Sequence, residues 1–203
     1  MIEILAHIIL LVSATVSFGH GTYRCAIVYT GDTHLAVESF TLYRNDEVVY
    51  TKETPGVNSF YLSTVGTVFA VNEERLYFYA QNGEELFLKD LKYPNGFGFS
   101  PDSVLFFCSD KGGICAYSDQ GQLVRAYKPG RLFTSTEHGK EVAVISCDSL
   151  FLYKDGVLKF SRQLRTPYAR AVFFSQDGRS IIVEEPSDNE IFSSRTGEKV
   201  YHK

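Results

Sequence analysis

ARAVFFSQDGRSIIVEE, Ala169–Glu185, is a short apolar strand, a Ser-Gln-Asp-Gly turn and a second apolar strand. FGFSPDSVLFFCSD, Phe97–Asp110, repeats the same design. A hairpin that occurs twice is a candidate repeat unit, and the search for further copies precedes any other reading of the fold. Two kinds of punctuation recur along the chain. One is a turn between apolar strands, at Phe18–Gly21, Ser63–Gly66, Ser100–Ser103, Glu137–Gly139 and Ser175–Gly178. The other is a tight hairpin signal, at Asn45-Asp46, Asn82-Gly83, Gln120-Gly121, Asp155-Gly156 and Thr196-Gly197. Asn-Gly and Asp-Gly tolerate the positive φ that two-residue hairpin turns demand. Members of this second set lie roughly 35–41 residues apart, the spacing of propeller blades.

Cutting at these marks yields five copies of four strands. The copies begin near TVSFG (Thr15), SFYLST (Ser59), GFGFS (Gly96), RLFTST (Arg131) and RAVFFS (Arg170), and the last ends with EKVYHK. Second strands are near-continuous apolar runs, such as Val104–Cys108 and Val142–Ser146, as expected of strands covered on both faces. Fourth strands mix Lys, Arg and Glu with apolar residues, as expected of a half-solvated outer edge. The fold class is therefore all-β, a β-propeller of five four-stranded blades. A closed ring with blade one against blade five is expected, with an open segment of a larger propeller as the rival. A β-sandwich explains the five-fold punctuation poorly.

The composition agrees. The chain has 203 residues, enough for one domain with a proper core, and holds 16 Phe and 13 Tyr against one Met and no Trp. Net charge is −4 with both signs interspersed, so no basic stripe points to nucleic acid. The body of the chain contains no apolar run long enough for a membrane helix.

The N-terminus is distinct. Ile4–Ala14, ILAHIILLVSA, is a short apolar run ending in small residues, the pattern a signal peptidase reads. The expectation is a leader over residues 1–14, a mature propeller over residues 15–203, and a periplasmic or secreted location. The preceding residues hold a Glu and no Lys or Arg, which is atypical. The plainer reading makes Ile8–Val12 a buried strand. Cys108 and Cys115 flank a tight turn and are candidates for a cross-hairpin disulfide if the register aligns them. Cys25 and Cys147 read as lone strand residues.

FSPDS at Phe99–Ser103 and FSQDG at Phe174–Gly178 resemble the F-S-x-D-G turn of WD-repeat-like propellers, particularly those of exported bacterial proteins. YAQNGEELF, YSDQGQLVRAY and YKDGVLKF resemble the outer hairpin of quinoprotein-like blades. The resemblance implies the propeller fold, and function only by analogy. The chain departs from the standard WD repeat in lacking Gly-His and Trp-Asp pairs. The absence of Trp speaks against a quinone, and no cofactor is expected.

Few residues read as chemistry. The five His are scattered, C-x6-C has no second ligand pair, and no H-E-x-x-H, phosphate loop or nucleophile elbow is present, so no metal is expected. The links between blades (Lys52–Val57, Lys92–Gly96, Lys128–Arg131, Arg165–Ala169) are basic and carry Tyr93 and Tyr168 beside prolines. The links between second and third strands carry Asp32, Glu73, Glu74, Asp110, Asp148, Glu184, Glu185 and Asp188. Both sets belong to one face, and loops on a rigid scaffold are where function concentrates. The candidate binding residues are Tyr93, Arg131, Tyr168, Arg170, Glu184 and Asp32, and the expected partner is another protein or a polar ligand. The plainer reading is that Pro and Gly turn the chain and the charges are solvated. An enzymatic alternative is a carbohydrate hydrolase using loop carboxylates such as Glu184 or Asp32. Of adjacent acids such as Glu184-Glu185, only one can face the propeller axis.

Overall fold

The computed structural model describes residues 10–17, 22–30, 36–54, 56–57, 59–72, 74–128 and 130–200. The chain forms two compact units, Met1–Asp90 and Leu91–Lys203. The first holds two antiparallel four-stranded sheets in sequential order. These are β1 (Leu10–Ser17), β2 (Thr22–Thr30), β3 (Ala36–Arg44) and β4 (Glu47–Glu53), then β5 (Ser59–Leu62), β6 (Val68–Val71), β7 (Arg75–Tyr79) and β8 (Glu85–Asp90). The second unit holds β9 (Gly96–Phe99), β10 (Leu105–Asp110), β11 (Gly113–Ser118) and β12 (Leu123–Tyr127), followed by β13 (Leu132–Ser135), β14 (Glu141–Ser146), β15 (Ser149–Lys154) and β16 (Val157–Gln163). Its last sheet is β17 (Ala171–Phe174), β18 (Ser180–Glu184) and β19 (Asn189–Ser193). These five sheets are the blades of a β-propeller fold.

The punctuation read from the sequence sets the blade corners. At the outer hairpins, Asn45 and Asp46 take φ of 50° and 65°, and Asp155 and Gly156 take 49° and 84°. The corner between first and second strands is a side-chain device used four times. Ser63, Ser100, Thr136 and Ser175 each accept, on their hydroxyl, the N–H of the residue that leads into the second strand, at 2.9–3.0 Å. In FSPDS and FSQDG the Ser hydroxyl also donates to the Asp two residues on, 2.6 Å in both cases.

Burial follows strand rank. β6 and β10 are buried throughout and β14 along its centre. Each such Val, Phe or Leu contributes about 1.5–3 kcal/mol when removed from water. In the first unit Tyr23, Phe40 and Leu42 pack with Val68, Ala70 and Tyr79, and the Phe40 ring lies 5.1 Å from both Phe60 and Tyr79. In the second unit one core joins Leu105, Phe107 and Ile114 to Val142, Val144 and Tyr153. Another joins Ala143, Ile145, Leu150 and Leu152 to Val172, Ile181, Val183 and Phe192. The central blade of this unit thus gives alternate residues of β14 to its two neighbours, which explains its unbroken apolar run.

Two boundaries differ from the sequence expectation. EKVYHK, expected as the fourth strand of blade five, supplies one bridge, Phe192 to Lys199, among the described residues. A turn at Thr196–Gly197 and bonds from Ser193 N to Glu198 O (2.8 Å) and Val200 N to Ile191 O (2.7 Å) hold it there. At the other end, β1 pairs with β2 residue for residue from Leu10 to Ser17, so Leu10–Ala14 of the expected leader stand in a ladder. Met1–Ile9 lie outside the described residues. No helix among the described residues is long and apolar enough to cross a membrane.

Candidate functional site

In the second unit, the chain ends of β9, β13 and β17 and the hairpins β10–β11, β14–β15 and β18–β19 share one rim. A series of contacts makes that rim continuous. Lys111 N donates to Lys92 O (2.7 Å), and the Lys111 ammonium sits 5.6 Å from the Tyr93 ring centre. Ser109, the last residue but one of β10, donates its hydroxyl to Gly130 O (2.7 Å) in the next link. Arg131 N donates to Ile145 O (2.8 Å), and its guanidinium reaches Pro167 O (2.9 Å) in the following link. Tyr168 follows directly, and Arg170 N donates to Glu184 O (2.7 Å).

Four of the six residues chosen from sequence therefore form the crest of this rim. Tyr93 and Tyr168 are 79% and 70% exposed, and Arg131 and Arg170 are exposed beside them. Tyr93 holds φ of 55°, a conformation unusual for a bulky residue that turns its ring outward beside Lys111. Glu184 ends β18, half-buried, opposite Ala171 and Asn189. Asp32 lies outside the described residues, as does Glu73.

The acidic half of the rim behaves differently from its sequence appearance. Asp110 is buried and accepts from Lys92 N (3.2 Å) and Gly112 N (2.8 Å), closing the β10–β11 hairpin. Glu185, with a fully buried side chain, takes Arg165 on one oxygen at 3.1 Å, while its other oxygen has no hydrogen-bond partner. Glu190, 2% exposed, holds Arg165 N at 3.2 Å and the Lys199 ammonium at 2.5 Å. These carboxylates fasten links to hairpins. Glu185 is buried and engaged by Arg165, and its neighbour Glu184 is half-buried.

Cys108 and Cys115 are direct cross-strand partners in the β10–β11 ladder, with the two-residue turn at Lys111-Gly112. Their side chains share one face of the sheet, where opposed Cβ atoms approach within about 4.5–5.5 Å. Among the described residues no group of three or more His, Cys, Asp and Glu side chains is placed to hold a metal.

Sequence reading missed two grooves along the first strands of this unit. One, about 360 Å³, runs between β9 and β13 and is lined by Asn95, Gly96, Phe97, Arg131 and Phe133. The other, about 570 Å³, lies at the opposite corner turns, lined by Thr136, Glu137, Lys140, Phe173 and Asp177. Their walls come from first strands and corner turns of neighbouring blades, which no single sequence motif brings together. Sequence reading also missed a clasp. Asp102 of the FSPDS turn accepts the backbone N–H of His138 in the next blade at 2.7 Å, with His138 Nδ1 2.6 Å from the same oxygen.

No family model matches the chain, and no curated protein sequence does. Solved structures match by shape. A eukaryotic initiation factor aligns with a TM-score of 0.74 at 12% identity, over 96% of this chain and 54% of its own. Hsv2 of Kluyveromyces lactis aligns with a TM-score of 0.58 at 12% identity, over 87% of this chain and 59% of its own. The dihydro-heme d1 dehydrogenase NirN aligns with a TM-score of 0.59 at 14% identity, over 87% of this chain and 42% of its own. The chain thus spans about half the length of the structures it matches. At such identities the likeness bears on fold alone, and the fold is that of a β-propeller.

Proposed function

We propose that this protein is a non-enzymatic β-propeller binding module, WD-repeat-like in design, that docks another protein on the rim formed by its blade links. The observation that carries the reading is the crest of Tyr93, Arg131, Tyr168 and Arg170. Two large tyrosines and two arginines stand in solvent on links tied together by main-chain hydrogen bonds. Tyrosine and arginine are the usual energetic anchors of protein interfaces, and a rim held rigid by its scaffold loses little freedom on binding. The chain is read as exported, with the leader removed after Ala14. The test is affinity capture followed by mass spectrometry, comparing the native protein with a Tyr93→Ala, Arg131→Ala, Tyr168→Ala, Arg170→Ala variant whose circular dichroism and melting are unchanged. Loss of the native protein's partners is expected; an identical partner list would remove the rim from consideration.

A further inference from the structure

We infer that the rim partner is an acidic, extended protein segment, rich in Asp and Glu; the inference rests on the docking rim proposed above. Cations outnumber free carboxylates on the rim itself. Most of its carboxylates are engaged internally: Asp110 by the Lys92 and Gly112 amides, Asp148 by Ser149 and Gln163, Glu185 and Asp188 by Arg165, and Glu190 by Arg165 and Lys199, while Glu184 is half-buried. Lys92, Lys111, Lys128, Arg131 and Arg170 are exposed, and among the described residues no carboxylate lies within ion-pairing distance of any of them. Five cations without an ion pair on one strip outnumber the half-buried Asp148 and Glu184 beside them, in a chain whose net charge is −4.

The strip also has a direction. The contacts run Lys92–Lys111–Tyr93, then Ser109–Gly130, then Arg131–Pro167, then Arg170–Glu184, crossing three successive blades. An extended segment laid along it meets cations and tyrosines in turn. The groove between β9 and β13 opens beside Arg131 and Asn95 and offers about 360 Å³ for one side chain on the way.

Net charge selects among polyanions. A nucleic acid or an anionic membrane is much larger than the strip and brings its charge against the rest of an acidic protein. A short acidic segment feels only the strip, because charges separated by more than about 8 Å are screened at physiological salt. Electrostatic complementarity of this kind sets specificity and association rate, and it weakens as salt rises.

The experiment is fluorescence anisotropy of the full-length protein with a labelled deca-glutamate peptide, a neutral Gly-Ser peptide, a single-stranded oligonucleotide, and vesicles containing phosphatidylserine. The glutamate peptide is expected to bind in preference to the other three and to be released as salt rises. A Lys92→Glu, Lys111→Glu, Arg170→Glu variant, none of whose altered side chains serves a core contact, is expected to bind it about ten-fold more weakly or worse. Lys92→Gln, Lys111→Gln, Arg170→Gln is expected to fall between. Binding of the glutamate peptide no better than the neutral one, or unchanged by charge reversal, overturns the inference. So does preference for the oligonucleotide or the vesicles. Should the alanine variant above lose its captured partners while the glutamate peptide fails to bind, the rim reading stands and the acidic class falls.

Discussion

At the residue scale, the Asp of the FSxD turns carries more than backbone conformation. Asp102 collects the Ser100 hydroxyl (2.6 Å), the His138 N–H (2.7 Å) and His138 Nδ1 (2.6 Å), joining two blades at one carboxylate. Partial burial works against its ionisation, but these donors outweigh that and hold it below the usual carboxylate range. A carboxyl lowered in the folded state adds stability in full above its unfolded value near 3.9, and that stability is lost as pH falls through the lowered folded value. Asp102→Ala is therefore expected to cost about 1–3 kcal/mol at pH 7, and the gap from the native protein should shrink below about pH 4. Urea unfolding at the two pH values measures it; an equal gap at both would show that the carboxylate charge is not what holds the blades. Asp177 makes the matching bonds to Ser175 and Arg179 N in the last blade, but its side chain is 60% exposed.

At the element scale, the four outer strands share a bulge. The ladder slips where the third strand presents Tyr43, Tyr77, Tyr117 and Tyr153, in blades one to four. Beside each slip the outer strand exposes apolar residues: Val48-Val49, Leu86-Phe87, Leu123-Val124 and Val157-Leu158. A bulge bends the outer strand and breaks the regular row of edge amides, so these residues do not template strand addition. Their exposure makes them dispensable to the core. Leu123→Lys with Val157→Lys is expected to change stability by no more than about 0.5 kcal/mol per site and to raise solubility. Thermal melting and a precipitation series check this, and a large drop in melting temperature would mean that these positions are covered.

The buried ion pairs belong to the same scale, because they join a link to a hairpin. Glu185 is enclosed while Arg165 remains partly exposed. Arg165→Met strands a buried carboxylate and should lower the denaturation midpoint, whereas pairing it with Glu185→Leu should recover most of that loss. Chemical denaturation of the single and double variants tests this. Equal losses in both would mean that Arg165 acts through something other than its charge.

At the scale of the whole molecule, the proposed export and a proposed disulfide between Cys108 and Cys115, both free thiols in the structure, are tested by one mass measurement. Expressed with its N-terminus intact in a secreting host, the protein is expected to begin at Thr15. It should also be two hydrogens lighter across Cys108 and Cys115, one lost from each thiol. Retention of Leu10–Ala14 would instead assign those residues permanently to β1, where they pair with Cys25–Tyr29. Blade architecture was legible in the chain because each corner repeats its own local chemistry. Asn-Asp and Asp-Gly take positive φ, and a Ser or Thr hydroxyl returns to the backbone in four corners regardless of what surrounds them. Short-range bonding of that kind is encoded locally, so strand order and the division into five sheets were readable from the residues alone. Only the tertiary structure decided which charges remain available on the rim. Asp110 and Glu185 read as rim acids in the sequence, yet Glu185 is buried against Arg165, 20 residues away, and Asp110 against the Lys92 and Gly112 amides. Whether a carboxylate faces solvent or a guanidinium depends on how links and hairpins fold over one another, and no local pattern of residues records that.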